Sequence, residues 1–92
     1  MSRKEKETFT VLNEKGLHTR PSTELVKCAS TFKSDINLIY QDLTVNAKSL
    51  LGILMLAATK GSKIVVEADG EDAKEAISAI CNLSESKFNI NY

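Results

Sequence analysis

The sequence predicts an α+β fold: an open-faced β-sandwich in the order β-α-β-β-α-β-α, with a four-stranded antiparallel sheet carrying three helices on one face. Three observations predict it. Four short runs are rich in β-formers and bounded by turn residues. Two longer runs place apolar residues at helical spacing, and a shorter third opens on a serine suited to a helix start. Finally, 92 residues, 42% of them hydrophobic and 26% charged, suffice for one modest core, so 1–92 reads as a single domain.

The elements follow in order. Met1 to Lys6 is polar and expected to fray. Thr8-Phe9-Thr10-Val11-Leu12 is the first strand, and Asn13-Glu14-Lys15-Gly16 a turn. From about Thr19 the spacing is helical. Ser22, Leu25, Ala29 and Phe32 share a core face, while Thr19, Thr23, Val26, Lys27 and Ser30 form a polar face with one apolar member. Ile36, Leu38 and Tyr40 mark the second strand, and Gln41-Asp42 turns the chain into a third, Leu43 to Asn46. Ser49 caps a short helix that ends before Lys60-Gly61-Ser62. Ile64 to Ala68 is the fourth strand, and Asp69-Gly70 a turn. Glu71 to about Ser84 is the last helix, acidic in its first turn, with Ala73, Ala76, Ile77, Ile80 and Leu83 or Ser84 inward.

Composition excludes several functions. Net charge is zero and aromatics are 5%, which argues against a nucleic-acid binder. The longest apolar run, Leu50 to Ala58, is far too short to insert in a membrane, and no signal peptide is visible at the start. Cys28 and Cys81 make neither a disulfide framework nor a zinc site, and one histidine provides no metal cluster, so no cofactor is expected. Reduced thiols suit the cytoplasm. Charge is uneven, however. Residues 1–63 carry ten Lys and Arg against six Asp and Glu, and residues 64–92 carry two against six. Chance variation accounts for such a bias; the sharper alternative is a mildly basic docking surface for an acidic partner.

The lone histidine, His18, holds the most chemistry. It lies between Gly16 and Arg20-Pro21, where a helix begins. Proline suits a first turn because its missing N–H costs nothing there. The unpaired N–H groups of that turn and the helix dipole attract an anion, and Arg20 adds a forked donor set. The same field disfavours imidazolium, and neutral imidazole is a nucleophile. Phosphorylated, His18 would set its oxygens among Thr19, Pro21 and Ser22 at the helix start, beside Arg20. No second catalytic group accompanies it, so a covalent carrier fits better than a free-standing enzyme. A second feature is the run Leu50 to Ala58. Leu50, Leu51 and Leu54 share one sector, opposite Ile53 and Leu56; either the helix is buried on all sides or, as the small chain favours, one sector is an exposed apolar patch for partners. Ser49 beside it reads as an N-cap, and a phosphate there would suit the dipole and alter the patch.

These residues resemble a known family. Gly16-Leu17-His18-Thr19-Arg20-Pro21-Ser22 looks like the active-site signature of HPr, the histidine-containing phosphocarrier of the phosphoenolpyruvate-dependent phosphotransferase system. Val45-Asn46-Ala47-Lys48-Ser49-Leu50-Leu51-Gly52 resembles that family's regulatory serine segment. Lys60 to Val66 and Glu67 to Ala73 match its later strand and last helix start, and the likeness runs from about Phe9 to Leu83. The resemblance implies that His18 accepts a phosphoryl group from phospho-enzyme I at Nδ1 and passes it to a histidine of an enzyme IIA protein, with Arg20 steadying the group. It implies docking through Thr19, Thr23, Val26, Lys27, Leu50, Leu51 and Leu54, and Ser49 as the target of an HPr kinase/phosphorylase in some members. A carrier with two successive partners is expected to be a monomer. The alternative is a regulatory module in which phosphate on His18 or Ser49 only switches partner affinity. The chain departs from the family at Ser22, where alanine is common, and at Gln41-Asp42-Leu43, which replaces a glycine-containing turn. Phe88 to Tyr92 extend past the expected end with no function assigned.

Overall fold

The computed structural model describes residues 3–92. Its elements are β1 (Lys4–Thr10), α1 (Thr19–Ala29), β2 (Asp35–Tyr40), β3 (Leu43–Asn46), α2 (Leu50–Met55), β4 (Lys63–Asp69) and α3 (Ala73–Glu85), followed by a 3-10 turn at Lys87–Asn89. The four strands form one antiparallel sheet in the order β1-β4-β2-β3. Alternation selects its faces. In β4, Ile64, Val66 and Ala68 point inward beneath the helices, while Lys63, Val65, Glu67 and Asp69 face the other way. Leu25 and Ala29 of α1, Ile53 of α2, and Ala73, Ala76, Ile77 and Ile80 of α3 close the core over the sheet. This is the open-faced sandwich that the apolar spacing predicts.

Three local expectations need correction. The first strand begins at Lys4, so Lys4 to Lys6 do not fray; Met1 and Ser2 lie outside the described residues. Lys4 to Glu7 pair in register with Asp69 to Val66, and Lys4 and Lys6 reach Glu67 at 3.8 and 3.5 Å. The strand stops at Thr10, and Val11 instead exchanges hydrogen bonds with Ser62 and Gly61 at 2.8 Å. The last helix opens at Ala73 because Asp72 serves as its N-cap residue. Its carboxylate accepts from the N–H groups of Lys33 and Ser34 at 2.8 and 2.9 Å and from the Ser34 hydroxyl at 2.5 Å. Those bonds hold its carboxyl below the ordinary aspartate value.

The third correction is Phe88 to Tyr92. Phe88 is fully buried and meets the Phe9 ring edge-on at 5.9 Å between centroids. Lys87, Phe88 and Asn89 carry φ of 56°, 53° and 62°, three consecutive left-handed residues that reverse the chain into the core. Such a backbone is costly without glycine and persists where packing over-determines it. Sequence periodicity ends at α3, so this segment gives no helical or strand signal.

Candidate functional site

His18 is the N-cap of α1, with extended backbone at φ −77° and ψ −171°. The loop before it is pinned to the rest of the fold. Gly16 donates to the Asn13 carbonyl, and Leu17 to the Ala58 carbonyl, each at 2.9 Å. Gly16 has φ +67°, and a Cβ there would stand 2.3 Å from the Ala58 carbonyl oxygen. Only glycine closes the loop this way.

The helix start presents fewer groups than the sequence implies. Ser22 turns inward, its hydroxyl donating to the Leu17 carbonyl at 3.0 Å and its N–H to the His18 carbonyl at 3.1 Å. Pro21 is buried beside it and has no N–H. The Ser22 side chain is thereby removed from the anion end and becomes a strut under the loop. Thr19 and Arg20 keep their N–H groups without a hydrogen-bond partner among the described residues. The His18 ring is half-buried. Its Nε2 is sealed from solvent and bonds to nothing, whereas Nδ1, also without a partner among the described residues, is not sealed.

Tyr92 joins this site, a residue that sequence reasoning left without a role. Its ring stacks on the His18 imidazole at 5.5 Å between centroids and 15° between planes. Arg20 Nη1 donates to its hydroxyl, and the Arg20 guanidinium lies 5.4 Å from its ring centre. Lys15, read from sequence only as a turn residue, places Nζ 5.0 Å from the same centre. Asn13 holds the segment in place. It is fully buried, and its Nδ2 donates to the carbonyls of Lys87, Ile90 and Tyr92 at 2.9, 3.4 and 3.0 Å.

The apolar face lies on α1 and α2, which pack side by side. Thr23 and Val26 on α1 and Leu50 and Leu54 on α2 are partly exposed, Thr19 and Lys27 are exposed, and Leu51 is 70% exposed. Ile53 and Leu56 are buried beneath, as the helical projection requires. Met55, 63% exposed on the same helix, extends the apolar surface and was not singled out by the sequence. Ser49 is the N-cap of α2: its Oγ accepts from the Gly52 N–H at 3.1 Å. Burial pushes both the Cys28 and Cys81 thiols up, which keeps them protonated and inert. No helix among the described residues is long and apolar enough to cross a membrane.

An open-faced sandwich with a lone imidazole and an arginine at the start of its first helix is the architecture of small phosphocarrier proteins. The family described as the phosphotransferase-system HPr component phosphorylation site matches residues 5–86, and the chain belongs to this HPr family. Its structure is similar to HPr-C-His from Thermoanaerobacter tengcongensis, at 39% identity over 96% of this chain and 99% of that one, with a TM-score of 0.90. It is also similar to the phosphocarrier protein HPr from Bacillus anthracis, at 37% identity over 86% and 94% of the two chains and a TM-score of 0.82. An HPr dimer from Thermoanaerobacter tengcongensis matches at 42% identity over 85% and 90%, with a TM-score of 0.75.

Proposed function

We propose that His18 carries the phosphoryl group, taking it from phospho-enzyme I and passing it to a histidine of enzyme IIA-type acceptors in the cytoplasm. The observation that carries this reading is the unsealed Nδ1 at the start of α1, beside the unpaired N–H groups of Thr19 and Arg20. The Nδ1 lone pair attacks phosphorus in line. The Nδ1–P bond forms as the bond to the donor breaks, and that bond's electron pair leaves with the donor. The Nε2 proton stays in place, so no base is needed. The two N–H groups, the helix dipole and the Arg20 guanidinium stabilise the charge on the transferred oxygens. Passage to the acceptor is the same displacement, with His18 as the leaving group.

The face of Thr19, Thr23, Val26, Lys27, Leu50, Leu51 and Leu54 docks both partners in turn, and Met55 lies in reach of the same contacts. Exposed aliphatic groups with Lys27 and Arg20 on the neighbouring helix suit a short-lived complex with an acidic surface. Phosphate on Ser49, added by an HPr kinase/phosphorylase, puts about −2 charge at the edge of this face and weakens docking. The chain works as a monomer, so that one face is free for each partner.

Phosphoenolpyruvate and purified enzyme I test the reading, followed by mass spectrometry before and after acid treatment. The expected result is one acid-labile phosphate that disappears in His18→Ala. Failure to take up phosphate, or uptake that survives the substitution, overturns it.

A further inference from the structure

We propose that Tyr92 is a positioning residue for phosphoryl transfer, one that fixes the rotation of the His18 imidazole and gathers Lys15 and Arg20 beside it. The inference rests on His18 as the phosphoryl acceptor. Tyr92 lies beyond residues 5–86, the span that matches the family, so membership assigns it nothing.

Three observations carry the proposal. First, the Tyr92 ring lies nearly parallel to the imidazole, at 15° and 5.5 Å. Stacking covers a π-face of the imidazole and resists turning of its ring. The lone pair that attacks phosphorus lies in the ring plane, so the cover leaves Nδ1 free to react while limiting the directions it takes. Second, Tyr92 organises charge. Arg20 is held by a hydrogen bond to the hydroxyl, and both Arg20 and Lys15 lie over the ring, at 5.4 and 5.0 Å. Cation–π contact keeps two flexible side chains near the place where three phosphoryl oxygens arrive. Third, Tyr92 is itself fixed. Asn13 accepts no partner on its Oδ1, yet its Nδ2 serves three carbonyls of residues 87–92, and Phe88 anchors the segment in the core. A tyrosine on a loose segment would hold nothing, whereas this one is clamped on two sides.

Tyr92→Leu and Tyr92→Phe separate the parts of this role. Tyr92 is half-exposed, so neither change empties the core. In unphosphorylated protein, the imidazole C–H proton resonances of His18 report the stacked ring without any transfer. They shift in Tyr92→Leu and stay close to wild type in Tyr92→Phe. In transfer from phospho-enzyme I, Tyr92→Leu lowers kcat by about tenfold at a KM within about twofold of wild type, since misplaced reacting groups slow chemistry more than docking. Tyr92→Phe, which keeps the stack and loses only the hydroxyl, restores most of the rate. Unmoved His18 resonances in Tyr92→Leu, or a rise in KM at unchanged kcat, overturns the proposal. Wild-type protein that takes no phosphate overturns the phosphocarrier reading and this inference together. Transfer through His18 that Tyr92→Leu leaves intact overturns this inference alone.

Discussion

Asn13 has no chemistry to offer phosphorus, yet it holds the segment that stacks on His18. Its amide nitrogen is the only donor that reaches the carbonyls of Lys87, Ile90 and Tyr92 among the described side chains. In Asn13→Asp those carbonyls face a carboxylate; the Lys87 carbonyl keeps the Ile90 N–H, but the carbonyls of Ile90 and Tyr92 lose their side-chain donor. The expected cost is about 1–3 kcal/mol in chemical denaturation, together with loss of the Tyr92 stack from the His18 resonances. The placement of His18, Arg20 and Pro21 at the start of α1 was legible, because a proline after a glycine-containing turn marks a helix start locally. Helical spacing put Ser22 on the core face, where it lies; its bond to the Leu17 carbonyl was not legible, because spacing does not name a hydroxyl's partner. Asn13, Lys15 and Tyr92 were illegible as a group, since their partners stand 74 to 79 residues away along the chain for Asn13.

At the scale of elements, α2 was the most legible piece. A capping serine, a leucine sector outward and Ile53 inward follow from helical spacing alone. Its cap also separates stability from docking. Aspartate caps as well as serine, so Ser49→Asp is expected to leave the unfolding midpoint within about 0.5 kcal/mol of wild type. The added charge beside Leu50 and Leu51 raises the KM for transfer from enzyme I. β1 was legible only in its second half, because Lys4 to Glu7 have no apolar alternation and owe their place to register with β4. The start of α3 supplies a pH prediction. Asp72 is held below the ordinary aspartate value by the Ser34 hydroxyl and the Lys33 and Ser34 N–H groups. A carboxyl lowered by folding stabilises the fold above its unfolded value, and that contribution fades as pH falls below about 4 toward the folded value. Glu14, lowered by Lys60 at 2.7 Å, adds to the same trend. Urea midpoints measured between pH 7 and pH 2.5 are therefore expected to fall on acidification, and to fall less steeply in Asp72→Asn.

The whole molecule divides its labour between the two sides of the sheet. One side is core and helices; among the helix-side groups, Lys15, Arg20 and Lys27 are exposed, with Lys27 in a surface ion pair to Glu24 at 3.2 Å. Zero net charge hides a local gathering of cations beside His18, Lys15 and Arg20 over the Tyr92 ring, while α3 on the same side exposes Glu75 and Glu85. Exposed charge of this kind speeds encounter and is screened by salt. Raising ionic strength from about 0.01 M to 0.3 M is expected to lower kcat/KM for transfer with enzyme I by several-fold, through slower association, and Lys27→Glu is expected to lower it at low salt and flatten the dependence. The element order and the layer of helices over one sheet were readable from strand and helix spacing, whereas the strand order β1-β4-β2-β3 was not. The closure of residues 87–92 over the first loop was not readable either, because Lys87 and Phe88 in left-handed conformation run against local preference and Phe88 is held by packing against Phe9.

That closure sets a time as well as a place. During synthesis Arg20 leaves the ribosome 72 residues ahead of the tyrosine that holds it, an interval of roughly 4–14 s at about 5–20 residues per second. A nascent chain displays its histidine through that interval with no aromatic cover and no gathered cations. The aromatic cover thus arrives only once residue 92 has been made, and a chain halted before it carries the signature motif without those surroundings.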